Sequence, residues 1–243
     1  MRLEFRKQKL GNLFLPIDYC SRDTVRFFDD FTEAGDGLVW QPDVYEVAET
    51  LSRLEGWRQV VDIGCGSGAK LLRMSGEIET IGFDHPQTYQ RLKNDFPTKT
   101  WFPINLDEGG QLHGRRRRAF TDGVVVCSDV IEHLLNPQYL LHLLKVVLPR
   151  VRCILVSTPD RIRNWGGDHL GPPPNPAHVR EWSLHEFNCL LDSVGLAPCN
   201  IGYTINNDRD REPSTILAVI RGKKSKLSID DYSNVFYSYA LPS

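Results

Sequence analysis

The chain has 243 residues, of which 41% are hydrophobic and 25% charged, and a formal net charge of −2. That length holds one complete α/β domain plus an extension but not two ordinary domains, and the composition excludes a disordered or fibrous chain. A charge so near zero gives no global reason to bind nucleic acid or an anionic membrane.

The opening residues, MRLEFRKQKLGNLFLPIDYC, are basic, but Pro16 and Asp18 interrupt their short apolar stretch and no small-residue cleavage site follows. No apolar run approaches the roughly 18–20 residues that span a bilayer, so a cytoplasmic protein without a membrane partner is expected. Cys20, Cys65, Cys127, Cys153, Cys189 and Cys199 are scattered with no CxxC pair, which excludes a zinc knuckle and a disulfide framework. Cys127 and Cys153 lie in or beside apolar runs and read as small buried hydrophobes.

Residues 1–57 read as an N-terminal extension containing one helix, PDVYEVAETLSRL, with Pro42 near its start. Its VWQPDVY segment, with Tyr45, is a candidate cover over a bound ligand, with ordinary aromatic packing as the alternative. From residue 58 to 221, short β-branched runs alternate with helical patterns, which is the signature of βαβ units around a parallel sheet. RQVVDI, IETIGFD, KTWFPIN, DGVVVCSD and VRCILVSTP read as five strands. Helices follow at GAKLLRMS, DHPQTYQRLKNDF and VIEHLLNPQYLLHLLKVVL, the last split by Pro137. A long Gly/Pro-rich loop leads to a helix over EWSLHEFNCLLDSVG, stopped by Gly195. PCNIGYTIN and STILAVIRG then suit an antiparallel hairpin. The predicted fold class is α/β, with a Rossmann-like sheet bearing helices on both faces and a polar tail over 222–243. The run Arg115–Arg118 falls between the third and fourth strands, where a solvated loop is expected.

VVDIGCGSGAK carries the chemistry of the first strand and its loop. Gly64, Gly66 and Ala69 have the spacing of a dinucleotide fingerprint, in which a pyrophosphate rests on backbone N–H groups. Asp62 opposes that guest, because like charges a few ångströms apart cost on the order of 1–4 kcal/mol. A Walker loop is excluded, since no GK[ST] follows. A ligand with a cationic end reverses the sign: S-adenosylmethionine has an ammonium, a sulfonium, one carboxylate and no phosphate. Asp62 would attract the cations, while Gly64, Cys65, Gly66 and Gly68 admit close backbone approach and the helix start takes the carboxylate. Asp84, 20 residues beyond Gly64, stands where an acidic residue chelates ribose hydroxyls, with His85 beside it as a contact or a cap. Asn105 or Asp107 is a candidate for the adenine amino group, under Leu106.

In this order and spacing, VVDIGCGSG, IGFD, INLD, VCSDVIEHL and LVSTPD resemble the successive motifs of class I S-adenosylmethionine-dependent methyltransferases, especially bacterial enzymes acting on small molecules and glycans. The resemblance covers roughly residues 38–220. It implies a seven-stranded sheet with the terminal hairpin, and a cofactor site that includes Ser128.

Asp129, Glu132 and His133 follow the fourth strand at i, i+3 and i+4, on one side of a helical turn. A structural reading competes, in which Asp129 is an N-cap and Glu132 its capping-box partner. The proline-rich loop GPPPNPAHVREW delivers His178 like a lid. HVREW followed by EF is similar to the segment with which small-RNA 3′-terminal 2′-O-methyltransferases complete an acidic-x-x-Glu-His metal site, and ubiquinone-pathway O-methyltransferases look similar there. The resemblance implies Asp129, Glu132, His133 and His178 as ligands for magnesium, manganese or zinc. This chain departs by placing the shorter aspartate first and by its connecting loop. Methyl transfer to a hydroxyl needs a histidine base near operating pH or a Lewis-acidic metal. His133, His178 and Asp129 are the catalytic candidates and His169 a further one, whereas His142 and His185 fall within helices. The expected reaction is O-methylation of a small molecule or sugar. The alternatives are RNA-terminal 2′-O-methylation and an inactive cofactor-binding regulator.

Overall fold

The computed structural model describes residues 12–24, 26, 30–33, 37–109, 112, 114–222 and 225; the basic opening and most of the expected tail lie outside them. One seven-stranded sheet runs in the order β3-β2-β1-β4-β5-β7-β6. Its strands are β1 (Gln59–Ile63), β2 (Glu79–Asp84), β3 (Thr100–Pro103), β4 (Val124–Ser128), β5 (Cys153–Pro159), β6 (Asn200–Thr204) and β7 (Thr215–Arg221). The first five pair in parallel, and β7 lies antiparallel between β5 and β6. The predicted hairpin is present, with its second strand joined to the parallel set. Burial explains that order: β7 is buried from Thr215 to Ile220, whereas β6 is only half buried up to Gly202 and so takes the edge.

Alternation along the strands builds two apolar layers. Val61, Ile63, Val125, Cys127, Ile154 and Val156 join one core with α6 (Pro137–Val147) and α8 (Leu184–Ser193). Val60, Val124, Val126, Cys153 and Leu155 join the other with α2 (Pro42–Leu54), α3 (Ala69–Arg73) and Leu92 of α4 (Pro86–Asp95). Leu13 and Leu15 belong to the first core, and the Trp182 indole donates to the Leu13 carbonyl at 3.0 Å, so the extension is packed as part of the domain. Cys127 and Cys153 are buried as expected, and all six cysteines are free thiols.

Three local expectations are corrected. The helix predicted from Glu181 starts at Leu184, because Ser183 and Glu186 form a capping box; Glu181 and Trp182 stay outside it, with Trp182 bridged to Asp160. The loop after β5 contains α7 (Arg161–Trp165), capped by the Asp160 carboxylate, which accepts from Arg163 N at 2.8 Å. The arginine run coils into a single turn, α5 (Arg115–Arg118), rather than an open loop. A further short helix, α1 (Asp30–Glu33), precedes α2. No helix of the described residues is long and apolar enough to cross a membrane.

Candidate active site

Two cavities of about 330 and 200 Å³ open at the carboxyl ends of the parallel strands. Both are lined by Asp30, Gly64, Gly66, Asp129 and His133, so they form one groove. The smaller lies toward β2 and β3, the larger toward β5 and β7.

Predicted cofactor residues line the smaller limb: Asp84, His85, Asn105, Leu106 and Asp107. Asp84 Oδ2 accepts from Gly66 N at 2.7 Å and its Oδ1 from His85 N at 2.7 Å, which locks the glycine loop to the end of β2. Burial raises the Asp84 carboxyl to about 6, against the lowering effect of these bonds. The His85 ring accepts from Gln87 N, so it caps α4 while lining the cavity. Asn105 Oδ1 turns back onto Asp107 N, and Asp107 Oδ1 accepts from Asn136 N. This wall of the smaller limb is thereby braced by its own hydrogen bonds.

The glycine loop itself divides in two. Gly64 and Gly66, at φ 81° and 53°, line the groove; a Cβ on Gly64 would meet Val130 at 2.3 Å and one on Gly66 would meet Asp30 Oδ2 at 2.6 Å. Gly68 does not line it, and its missing Cβ makes room for Trp101, 2.7 Å away. Cys65 lines the larger limb, with burial pushing its thiol well above the usual range. Ser128, also in that wall, shares a 2.8 Å hydrogen bond with Ser157.

Asp62 lies behind this wall, fully buried and lining neither limb. Its Oδ2 accepts from the Tyr45 hydroxyl at 2.8 Å, and its Oδ1 has no partner. Burial raises its carboxyl to about 7, opposed by the Lys70 charge and the Tyr45 bond. Tyr45 is thus an inner support, and the cover expected of its segment is provided by Trp40 and Gln41, which line the larger limb.

At the junction, Asp129 sits at φ 53°, in the left-handed region, and Ile131–His133 form a 3-10 turn whose N-cap is Val130. The helical register expected across Asp129, Glu132 and His133 is therefore absent, and so is the capping box. Instead one ligand atom each from Glu132, His133 and His178 lies within 4.8 Å of the others; Asp129, displaced by its backbone, is outside this trio. Burial raises the Asp129 carboxyl to about 6, offset by Lys70 and His178. Glu132 is fully buried, with Thr158 Oγ1 donating to Oε2 at 3.0 Å and Oε1 unpartnered. Burial, then the Asp129 charge, push its pKa well up.

His133 Nδ1 donates to the Ala177 carbonyl at 2.8 Å, which turns Nε2 into the ring's acceptor. Burial, with His178 beside it, lowers its pKa to about 3. The two rings meet edge to face, centroids 4.7 Å apart. Asn175 Oδ1 is engaged by Ala177 N, so its amide nitrogen faces His178 Nε2 at 3.0 Å, and His178 Nδ1 is left to donate to Glu181 Oε1 at 2.5 Å. His169 does not line the groove; its ring accepts from Gly171 N. His142 lies on α6 and His185 on α8, also outside both limbs. Residues that sequence reasoning missed include Asp30, Lys70, Asn175 and Glu181. Glu181 was visible only as one more carboxylate near a helix start.

A family model described as a methyltransferase domain matches residues 20–199. The chain belongs to that methyltransferase family. It is an S-adenosylmethionine-dependent enzyme. Its fold is similar to the methyltransferase domain of bacterial CtHen1-C, at 20% identity and TM-score 0.55, covering 74% of this chain and 97% of that one. It is also similar to an S-adenosylmethionine-dependent methyltransferase from Clostridium acetobutylicum, at 9% identity and TM-score 0.55, covering 79% and 95%. The plantazolicin methyltransferase BamL, solved with a triazolic desmethylPZN analogue and S-adenosylhomocysteine, aligns at 15% identity and TM-score 0.54, covering 80% of this chain and 88% of that one. No curated protein matches the sequence.

Proposed function

We propose that this methyltransferase methylates a hydroxyl oxygen of a small molecule or sugar. The supporting observation is the groove: a smaller limb lined by Asp84, Asn105 and Leu106 and a larger limb meet at Asp129 and His133, beside the cluster of Glu132, His133 and His178. The chain fits S-adenosylmethionine, since Gly64 and Gly66 line the groove with bare backbone, Asp84 stands at the ribose position, and the buried Asp62 carboxylate, one oxygen unpartnered, backs the wall.

The reaction is a displacement in which a C–S bond breaks, an O–CH3 bond forms, S-adenosylhomocysteine is the leaving group and the hydroxyl proton passes to solvent at the groove mouth. His133, with a pKa of about 3, is too weak a base to take that proton at neutral pH. The same ring has its Nδ1–H tied to a carbonyl and presents Nε2, which is how an imidazole is prepared to bind a metal. Glu132 Oε1, buried and unpartnered, fits the same role. Glu132, His133 and His178 are therefore the residues that would hold a divalent cation, His178 by exchanging its Asn175 contact. Once bound, such a cation supplies the Lewis acidity that makes a nearby hydroxyl more acidic. The chain's own part is to orient the hydroxyl, keep both imidazoles as acceptors at Nε2, and exclude water.

An acceptor that is not anionic is supported by the wider limb, where Lys70 is the one Lys or Arg among the described lining residues and Asp30, Asp129 and Glu181 contribute carboxyl groups. We infer a reducing, cytoplasmic location from the six free thiols. The test is mass spectrometry of candidate acceptors incubated with methyl-labelled S-adenosylmethionine, with and without a chelator and across a salt series. Labelled product that vanishes on chelation and returns with added manganese or magnesium supports the reading. Product that is indifferent to chelation removes the metal, and label found only on RNA 3′ ends, with a steep salt dependence, replaces the acceptor class.

A further inference from the structure

We propose that the wider limb contains a built subsite for one uncharged, polyhydroxylated ring, the chemistry of a saccharide, held between Trp165 and the Trp40–Gln41 segment. The inference rests on the acceptor-side reading above. Two buried polar atoms carry it. Ser214 and Gln41 are only 5% and 2% exposed, both line the cavity, and Ser214 Oγ and Gln41 Oε1 have no hydrogen-bond partner within the protein. Buried groups of this kind are ordinarily satisfied, and both atoms are shielded within the groove, so a ligand completes the pair as these two wall side chains turn toward it. Gln41 Oε1 accepts a hydrogen bond from a hydroxyl, and Ser214 Oγ donates or accepts one.

The placement of Gln41 is deliberate in physical terms. Its backbone is held at φ 44°, ψ 54°, a left-handed conformation that non-glycine residues rarely adopt. Gln41 N donates to the Asn206 carbonyl at 2.9 Å, and its Nε2 to Thr215 Oγ1 at 3.4 Å. These contacts leave Oε1 as the unspent end of the amide.

Two indoles supply apolar faces. Trp165 and Trp40 are 42% and 38% exposed although both line the cavity. The Trp165 N–H is pinned to Glu181 Oε2 at 2.6 Å, which fixes the ring while leaving its surface open. Trp40 is bridged antiparallel to Asn207, and its carbonyl accepts from Lys70 Nζ at 3.4 Å. The C–H face of a pyranose packs on such a ring while its hydroxyls reach polar atoms at the edge. Because Glu181 also accepts from His178, a ring seated on Trp165 is registered against the rim cluster. Phosphate has no guanidinium fork here: no arginine lines this limb among the described residues, and Lys70 stands 4.8 Å over the Tyr45 ring.

The test is saturation-transfer NMR on the enzyme loaded with S-adenosylhomocysteine, which cannot donate a methyl group. The probes are the methyl glycosides of glucose, galactose, mannose and rhamnose, with catechol and a short single-stranded RNA as comparison ligands. Saturation is expected at the ring C–H protons of at least one glycoside. That binding is expected to weaken about tenfold in Trp165→Ala and about three- to tenfold in Ser214→Ala, and to stay within about twofold in Trp165→Phe, with S-adenosylhomocysteine affinity unchanged. The proposal is overturned if catechol or RNA binds and no glycoside does, if no probe binds at all, or if Trp165→Ala binds the glycoside as well as the parent enzyme does. No turnover is read, so failed O-methylation would sink the reaction assigned above without touching this result.

Discussion

The Tyr45 hydroxyl donates to Asp62 Oδ2 at 2.8 Å, and both side chains are buried behind the glycine loop. Burial raises the Asp62 carboxyl to about 7, so near neutral pH the group is poised between its two forms. A cationic guest favours the anion, so the affinity for S-adenosylhomocysteine rises as pH increases through about 7 and then levels. Calorimetry from pH 6 to 8 should register a gain of about three- to tenfold, and Asp62→Asn should flatten it. The folded-state pKa lies above the unfolded value, so Asp62 contributes its stability below about pH 4 and loses it as pH rises through 7. The melting temperature of the cofactor-free Asp62→Asn protein should accordingly be less pH-dependent across that window.

Gly66 faces a harder limit than φ alone. At φ 53° a Cβ would lie 2.6 Å from Asp30 Oδ2, and that carboxylate accepts from Ser67 N at 2.7 Å. Gly66→Ala must therefore push Asp30 off the loop or pull Gly66 N from Asp84. We expect S-adenosylhomocysteine affinity to fall by about tenfold or more, since at least one charge-assisted hydrogen bond is lost. Gly37→Ala is the control for a positive-φ glycine with open space around it. It should leave that affinity unchanged, and equal losses in both would refute the argument.

Strong local codes made most of the fold legible in the sequence. β-Branched runs gave the strands of the core, Pro42 and Pro137 set the starts of α2 and α6, and Gly195, at φ 77°, ends α8 as an αL stop. The cofactor limb was legible for a related reason, since Asp84, Asn105 and Leu106 sit at strand ends that the chain order itself identifies. The rim was less so. A helical period placed Asp129 with Glu132 and His133, but a left-handed residue before a 3-10 turn carries no periodic signal. Gln41, Asn175 and Ser214 reach the groove from segments far apart in the chain, so only tertiary contact could bring them forward.

Glu181 accepts from both Trp165 Nε1 and His178 Nδ1, and so orients the imidazole from behind. Carboxylates in that position typically contribute about 10–100-fold to metal affinity. Glu181→Gln should weaken manganese or zinc binding to the cofactor-free protein by that order, measured by competition with a chromogenic chelator. Thr158→Val, which removes the donor to Glu132 Oε2, should have a smaller effect in the same assay. Unchanged metal affinity in Glu181→Gln would mean that His178 is not a ligand.

The loop that carries His178 is fastened from the N-terminal side. Arg22 Nε donates to the His178 carbonyl at 3.1 Å, Arg22 NH2 to Pro173 O at 2.5 Å, and Arg22 N to Val179 O at 2.9 Å. Behind it, Val179 N donates to Glu132 O at 2.7 Å, and Arg180 NH1 holds the Leu134 carbonyl at 2.9 Å. Together these tie the loop to the rim turn, so the segment expected to act as a lid is docked against both. Arg22→Ala removes only the side-chain part of that fastening, about 1.5–3 kcal/mol for each bond made by a charged donor. Hydrogen exchange over 170–180 should speed up, and product formation should fall with S-adenosylhomocysteine affinity intact, because the cofactor limb has no share in these contacts. If exchange in that segment is unaltered, the Arg22 side chain has no part in placing His178, and the backbone contacts of the N-terminal segment, Val179 and Arg180 suffice.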